Sequence, residues 1–380
     1  IRGMKDMNLL FHSNNNVLIK PNLVNGAYFY GPGNTSKEVI EATIIALKYF
    51  GISKITIAES AGVESDTFAA FKNSGYQELS KKYGFKLISI DDSRFKTQRF
   101  SFNNKNYDFL ISELINDFDV FINIPVLKTH LCCGVSASVK NCFGFINDID
   151  KQLIHRLNLL EEVLSELPRI FKPDFIIVDG TRGQGGLGGG TDFTNPFESH
   201  LLVFGKNPVA VDSVVAEILN QPKKIRYLNW AEEKGYGISN LEKINKNIRG
   251  EPFIPTIVSP EDYIQEQFKN LEIDSSSACT GCRSCFLTTL TRFSSQKLKK
   301  NTIILSGDKL KNIDLSGKGT IILFGNCAIK NIPIKNGQNE QYLVLNGCPP
   351  SGKQFMDLIR KYNLFCNTCY YETKTILEEE

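Results

Sequence analysis

The feature that most constrains this 380-residue chain is an alternation, over its first 270 residues, of short apolar runs with segments of helical period. Val17-Leu18-Ile19, Ile55-Thr56-Ile57-Ala58, Val120-Phe121-Ile122-Asn123-Ile124 and Phe175-Ile176-Ile177-Val178 are strands of the fully buried kind. Parallel neighbours need a crossover, and a helix supplies it, so the expectation is a mostly parallel sheet flanked by helices. Ser36 caps a helix running to about Tyr49, with Val39, Ile40, Thr43, Ile44 and Leu47 on one face and Gly51 as its stop. Helices over about 66–83 precede a strand at 86–90, and residues 100–109 read as a hairpin turning at Asn103-Asn104. A short helix over 134–143, an amphipathic helix over 151–167, a strand at 201–204 and a helix opened by Pro208 complete the pattern. Residues 240–275 read as irregular, which places a domain boundary before Ser275-Ser276-Ser277. The first domain is then 1–275 and the second 276–380. The tail carries strands at 302–305, 320–324 and 342–345 and a helix over 351–362. The fold class is α/β, with a smaller cysteine-rich α/β domain at the C-terminal end.

Composition narrows the function classes. Hydrophobic residues make up 42% and charged residues 22%, the mix of a globular protein, and no apolar run approaches the ~18 residues of a membrane span. The segment from Ile1 lacks the h-region and cleavage site of a signal peptide. The reading is therefore cytoplasmic, without a membrane. The net charge of +3 is unevenly placed: from Cys279 onward there are 14 Lys+Arg against 8 Asp+Glu, and before it 30 against 33. A basic tail raises nucleic acid as a partner. No dense Lys/Arg run interleaved with aromatics supports it, and nucleic acid is disfavoured.

Ten cysteines in a chain of this size are not needed as disulfides, and their clustering points to metal instead. Cys279-Thr-Gly-Cys282-Arg-Ser-Cys285 is C-x₂-C-x₂-C, a spacing that lets three thiolates of one loop face a cubane 4Fe-4S cluster. Cys348-Pro349-Pro350 offers the remote fourth ligand, between a strand and a helix. Cys327, in Gly325-Asn326-Cys327, competes for that role. Cys366-Asn-Thr-Cys369 is a further pair, fit for a second site or a dithiol. Zinc is the alternative, because Cys282/Cys285 with Cys366/Cys369 form two knuckles. Their separation of more than 80 residues far exceeds the 15 to 20 of a ribbon.

Polar clusters stand where an open parallel sheet places its ligands, at the carboxyl ends of strands. They are Lys20-Pro21-Asn22, Pro125-Val126-Leu127-Lys128-Thr129-His130, Lys140-Asn141-Cys142-Phe143-Gly144 and Asp179-Gly180-Thr181-Arg182. A lysine at one strand end is ordinarily just solvated; four such loops on one edge make a candidate site. His130 is the histidine of this set and a candidate proton carrier. The neighbouring Cys132-Cys133 fits a buried thiol pair better than a metal site. Gly183-Gln-Gly185-Gly-Leu-Gly188 has G-x-G-x-x-G spacing, but Gly189, Gly190 and Asn195-Pro196 forbid the helix that a dinucleotide site needs. A lid, a close backbone approach and plain loop punctuation all remain open for it.

These residues carry a resemblance. Lys20-Pro21-Asn22, the run from Asn123 through Pro125 to His130, Lys140-Asn141-Cys142-Phe143-Gly144, Asp179-Gly180 with its glycine loop, and Asn207-Pro208-Val209-Ala210-Val211-Asp212 occur in this order over about residues 15–220. In this the chain resembles the domain of unknown function 362 family. The resemblance implies an architecture more than a reaction, adds Asp212 to the candidate substrate-binding residues Lys20, Asn22, Lys140, Asn141 and Asp179, and implies iron–sulfur association, since family members often carry ferredoxin-type cysteines. The first domain is also distantly similar to nickel-pincer lactate racemases, which keeps nickel open. That class uses several histidines and an anchoring lysine, and only His130 with Lys128 or Lys140 is available here.

Two functions follow as expectations. One is an iron–sulfur redox or cofactor-processing enzyme acting on an anionic small-molecule or metallo-organic substrate, with Lys128 and His130 as catalytic residues and a redox partner protein. The other is a non-catalytic electron-transfer or assembly partner within a larger complex.

Overall fold

The computed structural model describes residues 1–366, apart from 8, 10, 25–30, 63–64, 103, 189–194, 222–224, 252–255, 295, 311–314 and 333–340. The chain divides into two compact units, Ile1–Ile257 and Val258–Glu380. No helix among the described residues is long and apolar enough to cross a membrane.

The first unit follows the predicted alternation: α1 (Arg2–Asp6), β1 (Asn16–Pro21), α2 (Lys37–Tyr49), β2 (Lys54–Glu59), α3 (Thr67–Asn73), α4 (Tyr76–Tyr83) and β3 (Lys86–Ser89). A hairpin of β4 (Phe95–Phe102) and β5 (Lys105–Ser112) comes next, with Asn104 left-handed at its turn (φ 60°) and Asn103 outside the described residues. Then come β6 (Val120–Ile124), β7 (Val126–His130), β8 (Gly134–Val135), α5 (Ser138–Cys142), α6 (Asp148–Arg156), α7 (Leu160–Ile170), β9 (Phe175–Gln184), β10 (Pro196–Gly205), α8 (Pro208–Ile218) and α9 (Arg226–Glu233).

The sheet order is β3-β2-β1-β6-β9-β7-β8, and β10 pairs antiparallel with β9. Pro125 interrupts what would be one long strand, so β6 and β7 pair in succession with β9, both in parallel. One face of the sheet (Val17, Ile19, Ile57, Ile122, Ile124) packs with the buried residues of α2, α3 and α4. The other (Leu18, Ala58, Phe121) packs with those of α5, α7, α8, α9 and the hairpin. Along β1 and β6 the second face ends at Lys20 and Asn123, which are register partners at the carboxyl edge.

Two local expectations are corrected. The amphipathic stretch at 151–167 is two helices, because Asn158 turns left-handed (φ 55°) between α6 and α7. The helix expected over 134–143 is confined to α5, with a 3₁₀ turn at Phe143–Phe145 after it and β8 before it.

The second unit has an all-parallel sheet, β11-β12-β13-β14, built from β11 (Leu271–Ser277), β12 (Thr302–Gly307), β13 (Thr320–Phe324) and β14 (Gln341–Leu345). Its helices are α10 (Pro260–Gln267), α11 (Thr280–Thr291), α12 (Asn326–Asn331) and α13 (Gly352–Lys361). Residues 258–275, read from sequence as irregular and assigned to the first domain, belong with this unit. Ser259 caps α10 ahead of Pro260, and β11 is an edge strand whose polar Glu272, Asp274 and Ser275 hid it from the apolar pattern. Ala328 of α12 packs with Ile303, Leu305, Ile321 and Leu323. Phe286 of α11 and Phe355 of α13 stack edge-on against Phe324, at 5.5 and 5.2 Å between ring centres. The strands therefore all deliver their carboxyl ends to one edge, where Cys279, Cys327 and Cys348 follow β11, β13 and β14.

Candidate functional site: a buried lysine cluster and a thiol edge

A lysine ending a buried strand must bring its charge into the protein, which costs several kcal/mol unless it is paired. Lys20 is 1% exposed, and its ammonium contacts the Glu59 carboxylate, which ends β2 and is itself 3% exposed. The same Nζ donates to Asn141 Oδ1 and Pro21 O, both at 3.2 Å. Burial pushes Glu59 up against the pull of Lys20, and Leu23 N–H donates to its other oxygen at 3.1 Å. Gly144 lies against this ammonium, and a Cβ on it would come within 2.8 Å of Lys20 Cε, so a larger residue would have to shift the lysine.

Lys128, on β7, is 2% exposed and donates to Asn22 Oδ1 at 3.4 Å and Gly33 O at 3.3 Å. With neutral oxygens as its partners, burial drives it down to about 7, Lys140 and Lys20 push it the same way, and Glu59 opposes them. Lys140 is half-buried, with Nζ 4.3 Å from the centre of the Phe143 ring. It too is lowered by burial, with Cys133 and Cys132 opposing and Lys151 and Lys20 adding. Lys151 is buried, donating to Ser60 Oγ at 2.6 Å and Asp148 Oδ1 at 2.9 Å. Four lysines thus feel one another around the Glu59 carboxylate.

The expected carboxylates Asp179 and Asp212 do different work. Asp179 accepts Ser36 N–H at 2.7 Å, Thr181 N–H at 3.0 Å and the Thr181 hydroxyl at 2.6 Å, which seats the start of α2. Asp212, fully buried and pushed by burial up to about 7, accepts Ser138 N–H at 2.6 Å and Val139 N–H at 3.0 Å. It thereby fixes α5, the helix that carries Lys140, Asn141 and Cys142. Asn141 reaches the sheet, donating to Asn123 Oδ1 at 2.6 Å and Pro21 O at 3.1 Å, while Asn123 donates back to Ser138 O at 2.9 Å.

His130 is half-buried and accepts Cys132 N–H on Nδ1 at 3.1 Å, so Nε2 is the nitrogen that would carry a proton. Cys132 and Cys133 are buried, and Cys133 Sγ donates to Val135 O at 3.3 Å, which agrees with a packed thiol pair. The glycine loop rides on β7: a Cβ on Gly188 (φ 48°) would lie 1.9 Å from Thr129 O, and Thr129 Oγ1 donates to Gly186 O at 2.8 Å. The close backbone approach is thus to the strand of Lys128; residues 189–194 lie outside the described set.

In the second unit the C-x₂-C-x₂-C is not an open loop. Cys279 is the extended N-cap of α11, while Cys282 and Cys285 lie within the helix, which buries Phe286, Leu287 and Leu290. Cys282 is hydrogen-bonded to Cys279 and lies within electrostatic reach of Cys348, and Cys327 within reach of Cys348 and Cys279. A Cβ on Gly325 would sit 2.9 Å from Cys282 Sγ. Among the described residues no three Cys, His, Asp or Glu side chains are already arranged around one metal position. The described cysteines form no disulfide. Cys366 donates its N–H to Lys297 O (2.9 Å) beside the Leu298–Phe365 bridge, and Cys369 lies outside the described residues.

The model of the domain of unknown function 362 family matches residues 17–217, more than half of the chain. The chain belongs to this family. It is also 30% identical over 211 residues to the thylakoid-associated protein sll1697 of Synechocystis sp. (strain ATCC 27184 / PCC 6803 / Kazusa), an alignment covering 53% of this chain and 62% of that protein. The chain therefore spans about three-fifths of that relative's length.

The family match covers the lysine cluster entire, from β1 to α8, and stops before the thiol edge. Sequence reasoning named Lys20, Asn22, Lys128, Lys140 and Asn141, and the structure brings these together. It missed Glu59, Asn123, Ser60 and Lys151. The signal for Glu59 was present: a charged residue closing an apolar strand, as Lys20 does. Lys151 gave none, because a lysine on an amphipathic helix looks solvated until its neighbours are known. Chemically, the cluster offers several ammonium groups, one of them easily discharged, and buried amides that hold them in place, which suits pairing with an anion.

Proposed function

We propose that this family member is an iron–sulfur enzyme acting on an anionic small molecule, bound by Lys128 and Lys140 over the Lys20–Glu59 pair. The observation that carries the reading is Lys128, a buried ammonium whose hydrogen bonds go to neutral oxygens, Asn22 Oδ1 and Gly33 O. A carboxylate or phosphoryl oxygen would supply the countercharge that no described residue gives Lys128 by direct contact, and Asn22 and Asn141 would orient it. Asp212 and Asp179 position the site, and His130 serves as proton carrier through Nε2.

Iron suits the second unit by the chemistry of its donors, soft thiols gathered where Gly325 leaves room that a Cβ would fill. A cluster bound there would supply one-electron chemistry, exchanged with a redox partner protein. The Lys/Arg excess of the tail, 14 against 8, favours a second reading, an electron-transfer or assembly partner without catalysis.

Thermal melts of the full chain in sulfate and in succinate test the anion site. The wild type is stabilised and Lys128→Met is not; equal stabilisation removes the enzyme reading. Iron, sulfide, zinc and nickel analysis of anaerobically purified protein tests the tail, and zinc without iron and sulfide removes the cluster from both readings.

A further inference from the structure

We infer that Cys279, Cys282, Cys327 and Cys348 are the cluster ligands, and that Cys285, the third cysteine of the C-x₂-C-x₂-C, is not one. The inference rests on the proposal that the second unit holds an iron–sulfur cluster, and it changes which residues hold it.

Each residue of an α-helix turns about 100° and rises 1.5 Å, so Cys285 stands roughly 120° round and about 9 Å along from Cys279. Phe286, Leu287 and Leu290 fix that rotation by packing inside the unit. The Thr289 hydroxyl donates to the Cys285 carbonyl oxygen at 2.7 Å, one helical turn back, so Cys285 keeps its helical place, while Cys282 is hydrogen-bonded back to Cys279. Three thiolates of this motif cannot face one cluster unless the first turns of α11 unwind.

The missing ligands come from the two neighbouring strands instead. Gly325, at the end of β13, lies against Cys282 Sγ and begins the turn that presents Cys327. That turn is tied to the Cys348 loop by Gly325 N–H to Leu345 O (2.9 Å), Asn326 N–H to Gly347 O (3.0 Å) and Gly347 N–H to Asn326 Oδ1 (2.8 Å). Gly325 and Gly347 both have positive φ, 91° and 147°, so each bends the chain where a side chain is disfavoured. The bends place Cys327 and Cys348 beside Cys279 and Cys282 at the carboxyl edge of the sheet. Cys327 and Cys348 are exposed, so their thiols can turn to a cluster without disturbing the core.

The test uses the full chain, purified and reconstituted anaerobically with ferrous iron and sulfide. Each cysteine is changed singly to serine, with iron and acid-labile sulfide content, the spectrum of the dithionite-reduced protein by electron paramagnetic resonance, and circular dichroism as readouts. Cys285→Ser is expected to keep wild-type iron, sulfide and resonance. Cys327→Ser and Cys348→Ser are expected to lose most of the iron with folding unchanged, and because both side chains are exposed the loss is not one of stability. Loss of the cluster in Cys285→Ser, or its retention in Cys327→Ser, overturns the assignment. A wild type that takes up no iron and sulfide overturns the cluster itself, a result visible before any variant is made.

Discussion

Replacing Glu59 by glutamine keeps its shape and removes its charge, leaving Lys20 buried at 1% exposure beside an amide. Breaking a buried pair from one side costs about 3–5 kcal/mol, against about 0–1 kcal/mol for an exposed one. The first unit has 257 residues, and in a body of that size each kcal/mol moves the midpoint by about 2–4 °C, so the expected drop is roughly 6–20 °C. Urea unfolding of Glu59→Gln checks it as a lower midpoint at constant slope. A second variant separates charge from packing: Lys20→Met with Glu59→Leu removes both charges and is expected to recover most of the loss. The glutamine variant, with one more uncompensated positive charge, is also expected to gain more from sulfate than the wild type does. A loss below about 1 kcal/mol would refute the claim that Lys20 and Glu59 form the charged floor of the site.

Other outcomes follow from the same geometry. Lys128, held at about 7 against an ordinary 10.5, is neutral in the folded chain over a window where the unfolded chain is protonated. Its contribution to stability therefore rises as pH climbs from about 7 to about 10.5, and melts of wild type against Lys128→Met at pH 6, 8 and 10 are expected to diverge in that direction. Asp212, held at about 7 against 3.8, keeps its proton in the folded chain, so its contribution declines as pH rises across that window. Asp212→Asn is expected to flatten that decline in chemical denaturation between pH 4 and 8. Asp212→Ala leaves two backbone N–H groups at the start of α5 without their acceptor, an expected cost of about 1–3 kcal/mol in the same assay.

Much of the fold was legible because the central strands carry unbroken apolar runs, as at Val17-Leu18-Ile19, and the caps are local, as at Ser36 and Asn207. A strand end located Lys20, and the polar run after β6 located Lys128, although that run is strand β7 and not the loop expected. What stayed hidden depends on neighbours distant in sequence. Glu59 becomes part of the site only through the pairing of β1 with β2, and Asp212 reaches Ser138 across 74 residues. The half-polar edge strand β11 hid the start of the second unit. The C-x₂-C-x₂-C looked like a loop because cysteine spacing says nothing about rotation, whereas Phe286, Leu287 and Leu290 wind it into α11.

The central claim is that Lys128 awaits an anion, and calorimetric titration with sulfate tests it most directly, since sulfate keeps its charge across the range of interest. The account predicts that affinity falls as pH rises from 6 to 9, as Lys128 loses its proton near 7, and that Lys128→Met binds weakly at both values. Equal affinity at pH 6 and 9, or undiminished binding by Lys128→Met, would contradict it.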